Sequence, residues 1–316
     1  MSTEAIHLGY HYILPEQGPG PTCNPQRLEN TIIALKDEGY KFMTCGQVVD
    51  CIRAGNEPPA KHATLSFDDG LRSQYEVALP ILMEHSVPAT VFYTTCALDS
   101  KLPPVIGFQV LIDRLGAEKL KDEILPKVFQ GTPYLDLLDP DRYDNTGRKA
   151  GEPEEMRGMK WMFNHFPSQA FRQEMLDAML EEHLAPGSQQ RIAAKWFMTA
   201  EQLKKMQGNG MEIASHTVSH PPFDISGMDE VRNEVYAAKN TLRDLLEVEV
   251  PTFGWPFGGE FRASVVAVVR DHHQSAWNFY GDFSLFPKAR LYENLYNIPR
   301  VNEQAFQPEE FFASIR

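Results

Sequence analysis

The chain has 316 residues, 42% of them hydrophobic and 23% charged, which is an ordinary globular composition. Its net charge of −13 and the lack of any long basic run argue against nucleic acid or an anionic membrane surface as a partner. No apolar run approaches the roughly 20 residues that span a bilayer. The first residues also lack the basic and then apolar pattern of a secretory leader. Cys23, Cys45, Cys51 and Cys96 form no CxxC pair and no finger-like spacing, so reduced thiols in a cytoplasmic protein are expected.

Strand-like and helix-like segments alternate from the start. Residues 6–12 read as a strand. Asn24-Pro25 reads as an N-cap followed by proline at the first helical position, and Leu28, Ile32, Ile33 and Leu35 continue that helix up to Gly39. Residues 63–67 form a short apolar strand, 74–85 a helix, and 89–95 a buried strand rich in β-branched and aromatic residues. From about 97 to 195 the rhythm breaks. Residues 135–153 read as loop, 156–166 and 169–184 as helices, and no strand is evident. The stretch is expected to be a helical insertion packed beside one catalytic domain that spans residues 1–316. A capping box at Thr199–Gln202 restarts the alternation. Strands are expected over 211–215, 252–255, 275–279 and 295–299, with helices over 229–246 and 308–315. Seven strands with helical crossovers imply a mainly parallel sheet that is closed or nearly closed.

Three segments carry chemistry, each at the C-terminal end of an expected strand, where parallel α/β barrels place their sites. The first is Asp68-Asp69-Gly70. Neighbouring side chains on a strand point apart, so a turn starting at Asp68 is needed to bring both carboxylates to one place. One could then ligate a metal while the other moves a proton; a solvated turn is the plain alternative. The second is His216-Thr217-Val218-Ser219-His220, whose imidazoles are four residues apart and suit zinc or a similar ion. Two unrelated capping histidines would look the same. The third is Gly254-Trp255-Pro256-Phe257-Gly258-Gly259, where a strand runs into a sharp turn that could aim a backbone N–H at an oxyanion. Together these form a two-histidine, one-carboxylate set that leaves coordination positions open.

Ser66-Phe67-Asp68-Asp69-Gly70 resembles the TFDDG motif of the NodB-type polysaccharide deacetylases (carbohydrate esterase family 4), with Ser for Thr. His216-Thr-Val-Ser-His220 resembles their H-S/T-x-x-H motif. The resemblance covers most of the chain outside about 97–195. It implies a distorted (β/α)7 barrel. It implies that Asp69, His216 and His220 hold Zn2+, or another divalent ion such as Co2+ or Ni2+, and that Asp68 is the general base. The implied reaction removes an N-acetyl group from an amino sugar or glycan precursor and releases acetate. Gly254 stands where the family's base-orienting Arg would be, with Arg300 as candidate substitute. Phe257 replaces a Tyr whose backbone N–H is the useful part. His11, in Tyr-His-Tyr, is a candidate lining residue; His272 and His273 read as a solvated helix end. Trp255, Phe257, Trp277 and Tyr280 are candidate sugar-facing aromatics, equally suited to the core. Two other readings stay open: a small-amide hydrolase acting on ureides, cyclic imides or formamides, and an inactive carbohydrate-binding relative.

Overall fold

The computed structural model describes residues 4–18, 20–135, 168–280 and 292–315. Seven parallel strands form the centre: β1 (Glu4–Tyr10), β2 (Lys61–Phe67), β3 (Thr90–Tyr93), β4 (Glu212–Ser215), β5 (Thr252–Gly254), β6 (Ser275–Tyr280) and β7 (Ile298–Asn302). Each pairs with its predecessor, and β7 returns to β1, so the ring closes as a (β/α)7 barrel. The ring is uneven. β1 and β2 are in register from Glu4↔Lys61 to Tyr10↔Phe67, whereas β4 and β5 meet only at Ser215↔Phe253. The first half of β2, which β3 does not reach, is covered by the short strand Lys41–Phe42.

Side chains alternate along these strands as pleating requires. Ile6 and Leu8, Leu65 and Phe67, and Val91 and Tyr93 join the large core under the outer helices. Phe92, Ala214, Trp277 and Ile298 pack inside the ring. The helix Cys45–Arg53 plugs the floor with Val48 and Val49. Glu212 accepts the Gly46 N–H at 2.8 Å and the hydroxyls of Thr90 and Thr252 at 2.7 and 2.5 Å. A carboxylate at a helix N-terminus is a favourable charge–dipole pairing.

Several boundaries differ from expectation. The strand expected over 295–299 is Ile298–Asn302. Pro299, which lacks an N–H, sits inside the strand in register with Asn278 of β6. The helix expected over 74–85 opens with a wide turn at Gln74–Ala78 before Leu79–Glu84. Among the described residues of 97–195 there is no strand. Helices Pro104–Leu115 and Gln169–His183 lie against each other, closely enough that a Cβ on Gly107 would meet Leu176 at 2.4 Å. The loop and helix expected over 135–153 and 156–166 fall almost wholly on 136–167, outside the described residues. No helix among the described residues is long and apolar enough to cross a membrane.

Candidate metal centre

The strand β2 delivers the acidic pair. Its last rung is the Asp68 N–H donating to the Tyr10 carbonyl at 2.9 Å. The chain then enters the left-handed region twice, with φ 71° at Asp69 and 75° at Gly70. Asp tolerates that region better than most residues, and glycine adopts it freely. Gly70 has a second constraint, because a Cβ there would lie 2.0 Å from the Tyr93 ring. The reversal turns the Asp69 carboxylate toward the histidines while Asp68 stays within the barrel mouth.

The histidine segment leaves β4 along an equally constrained path. Thr217 and His220 have φ 68° and 58°. The His216 N–H donates to the Tyr93 carbonyl, and Thr217 and Val218 carbonyls accept from the N–H groups of Thr95 and Cys96. Glu234, on helix Met228–Leu246, accepts the N–H groups of Val218 and Ser219 at 2.8 and 2.9 Å and the Ser219 hydroxyl at 2.6 Å. These bonds let a strand end present two imidazoles side by side, their rings 4.9 Å apart.

Asp69 Oδ1 lies 3.8 Å from His216 Nε2 and 3.7 Å from His220 Nε2. One ligand atom from each of the three residues falls within 4.8 Å of the others. Donors that share one ion at roughly 2.0–2.2 Å can sit up to about 4 Å apart. His216 Nδ1 lies 2.9 Å from the Gly254 carbonyl, which can only accept, so Nδ1 carries the proton and Nε2 offers its lone pair inward. Burial lowers the pKa of both imidazoles and keeps them neutral, the ligating form. Burial, and then the charge of Asp68, push the Asp69 carboxyl up to about 8. A buried acid that strained, beside two neutral imidazoles, is a donor set that a divalent cation would complete. The residues present therefore fit the implied metal.

Asp68 is held differently. Burial works to raise its pKa, but the Arg300 guanidinium outweighs burial and holds the carboxyl at about 2. Arg300 Nη1 and Nη2 donate to the two carboxylate oxygens at 2.6 and 3.1 Å, and Nη1 also donates to Ser66 Oγ at 2.9 Å. The guanidinium is fully buried, 4.5 Å from the Phe92 ring centre and 5.5 Å from that of Phe279. The bidentate pairing expected from an Arg at position 254 is thus made from β7, across the barrel. Gly254 is a consequence of the same packing: a Cβ there would meet Phe92 at 2.7 Å and His216 Nδ1 at 3.0 Å.

The structure also places the other candidates. Phe257 has φ 63°, is 39% exposed, and sets its ring edge-on to His220 at 4.6 Å. Its turn is pinned by Asn278, which exchanges hydrogen bonds with the Gly259 N–H and carbonyl. His11 packs against Phe279 at 5.5 Å, near enough for its charge to act on Asp68 and His220. Trp255 and Trp277 are buried in the core, which removes them as sugar-facing rings, whereas Tyr280 is half-buried. His273 is not a solvated helix end: it is 3% exposed, and its Nδ1 lies 3.1 Å from the Val250 carbonyl. Sequence reasoning passed over Glu234 and Asn278. Neither stands in a motif: Glu234 acts from the helix after the segment it supports, and Asn278 acts from the next strand, beyond an intervening helix.

Comparison with known proteins gives the family and the fold. The family description "polysaccharide deacetylase" matches residues 55–122 and 158–277, over half of the chain. A chitooligosaccharide deacetylase of Sinorhizobium fredii is 31% identical over 81 residues, which make up 26% of this chain and 37% of that relative. The chain thus spans little more than a third of that relative's length in the match. Among solved structures, Streptococcus pyogenes deacetylase PplD in complex with acetate aligns over 100% of both chains, with a TM-score of 0.60 and 16% identity. IcaB from Ammonifex degensii aligns over 99% of this chain and 95% of that one, at 0.55 and 15%. A de-N-acetylase from Aggregatibacter actinomycetemcomitans aligns over 98% and 99%, at 0.56 and 15%. At such identities the structural likeness shows the fold.

Proposed function

The chain belongs to the polysaccharide deacetylase family, and from that premise we propose that it is a metal-dependent hydrolase that removes an N-acetyl group from an amino sugar or glycan precursor and releases acetate. The observation that carries this reading is the convergence of Asp69, His216 and His220 beside an Asp68 clamped by Arg300. A divalent ion such as Zn2+, Co2+ or Ni2+ bound there would supply Lewis acidity toward the amide carbonyl and acidify a water.

The chain's own residues divide the remaining work. Asp68 takes the proton of the attacking water, and Arg300 keeps it ionised and aimed. The backbone N–H of Phe257 donates to the oxyanion that forms on the acyl carbon. His11, whose ring packs on Phe279, is the candidate to return a proton to the leaving amine. Arg300 supports an active enzyme over an inactive relative, since the orienting arginine is present from another strand. Cytoplasmic residence is proposed alongside, on the four thiols, none of which is in a disulfide.

The test is acetate release from a panel of N-acetylated amino sugars and oligosaccharides. Activity should vanish on chelation and return with zinc, cobalt or nickel. Asp68→Asn should still bind metal and lose about 10²- to 10⁴-fold in turnover. An Asp68→Asn enzyme with wild-type turnover would remove the assigned base.

A further inference from the structure

The insertion reaches the histidine segment through one directed chain of hydrogen bonds. Arg172 Nη2 donates to Gln169 Oε1, and Gln169 Nε2 donates to Ser219 Oγ at 2.5 Å. Ser219 Oγ donates to Glu234 Oε1 at 2.6 Å, and Glu234 Oε2 accepts the two N–H groups of Val218 and Ser219. The donor and acceptor senses agree at every link. Arg172 is only 3% exposed and faces the carboxylates of Glu230, Glu234 and Asp224. Both residues lie in the first turn of helix Gln169–His183, outside the motifs that carry the site.

We propose that Gln169 and Arg172 are positioning residues, supplied by the insertion, that hold the segment between His216 and His220 so that both Nε2 atoms face Asp69. This rests on the metal-centre reading above. The physical need is visible in the backbone. Thr217 and His220 are held in a left-handed conformation that non-glycine residues keep only when the surroundings over-determine it. Ser219 lies between them, and its hydroxyl is fixed from both sides, by Gln169 as donor and by Glu234 as acceptor. Arg172 sets a positive charge against three carboxylates that would otherwise repel one another. Groups that orient metal ligands from behind typically change metal affinity by about 10- to 100-fold when removed.

The experiment measures zinc affinity by competition with a chromophoric chelator, on the whole chain. The proteins are wild type, Gln169→Leu, Arg172→Met, Arg172→Lys and, as a control on the outer face of the same helix, Gln173→Ala. Gln169→Leu and Arg172→Met should bind zinc about tenfold more weakly. Arg172→Lys should recover part of the loss, and Gln173→Ala should match wild type. Circular dichroism of the zinc-free proteins checks folding; should Arg172→Met fail to fold, Gln169→Leu decides. A folded Gln169→Leu that binds zinc within about twofold of wild type overturns this inference alone. A wild-type chain that takes up no zinc overturns the metal-centre reading, and this inference with it.

Discussion

Arg300→Met is the most informative single perturbation of the barrel interior. Arg300 is fully buried and gives three charge-assisted hydrogen bonds, at 2.6, 3.1 and 2.9 Å, to Asp68 and Ser66. Removing one partner of a buried ion pair typically destabilises by roughly 3–5 kcal/mol, because the other charge stays behind uncompensated. Here the residue left behind adjoins Asp69, a second buried carboxyl, so the upper half of that range is expected. Contacts with the Phe92 and Phe279 rings add about 1 kcal/mol. A domain in the middle or upper part of the usual range of about 5–15 kcal/mol survives such a loss. Exchanging the whole pair for apolar side chains is often close to neutral. Arg300→Met with Asp68→Leu should therefore recover most of the deficit, giving a coupling energy of at least about 3 kcal/mol. Urea unfolding of wild type, both single variants and the double variant, at neutral pH with chelator present, measures it. A coupling below about 0.5 kcal/mol would show that Asp68 and Arg300 act independently, against the clamp described here.

Two further outcomes follow from the packing and the buried charges. Gly254→Ala places a methyl 2.7 Å from Phe92 and 3.0 Å from His216 Nδ1, so it should destabilise by about 1–3 kcal/mol and weaken metal binding by displacing His216; metal titration and urea unfolding check both effects. His273 is held neutral, because burial lowers its pKa to about 3. Below about pH 6.5 the unfolded chain takes up that proton and the folded chain does not, so stability should fall with pH down to about 3, by about 1.4 kcal/mol per unit from this residue. His273→Asn should make the slope between pH 6.5 and 5 shallower by about one proton, and unfolding at those two pH values would expose an unchanged slope.

The parts of the fold legible in the sequence were those set by local periodicity. Alternating apolar strands and amphipathic helices pointed to the barrel class, and the resemblance of the strand-end motifs to the deacetylase family singled out Asp69, His216 and His220, which the structure brings together. Misjudged boundaries came from residues whose local preference is overridden by the ring. The strand expected over 295–299 runs instead from Ile298 to Asn302, and that shift places Arg300 inside the barrel, where it reaches Asp68. The capped helix Cys45–Arg53 was passed over, although Thr44 and Gln47 form a capping box. The supporting residues were not legible, for a physical reason. Glu234 and Asn278 act on backbone groups 15 and 19 residues away, and backbone groups leave no side-chain signature to pair with. The fate of Trp255 and Trp277 was undecidable for a similar reason, since a tryptophan at a barrel strand end suits a sugar face or the core, and packing across the ring decides between them.

X-ray absorption spectroscopy at the zinc edge, on chain loaded with one equivalent of zinc, tests the central claim most directly. Two imidazole nitrogens and oxygen donors at about 2.0–2.2 Å are expected, with the imidazole signal halved in His216→Ala and again in His220→Ala. A first shell without imidazole scattering in the wild-type protein, or one unchanged in both variants, would contradict it.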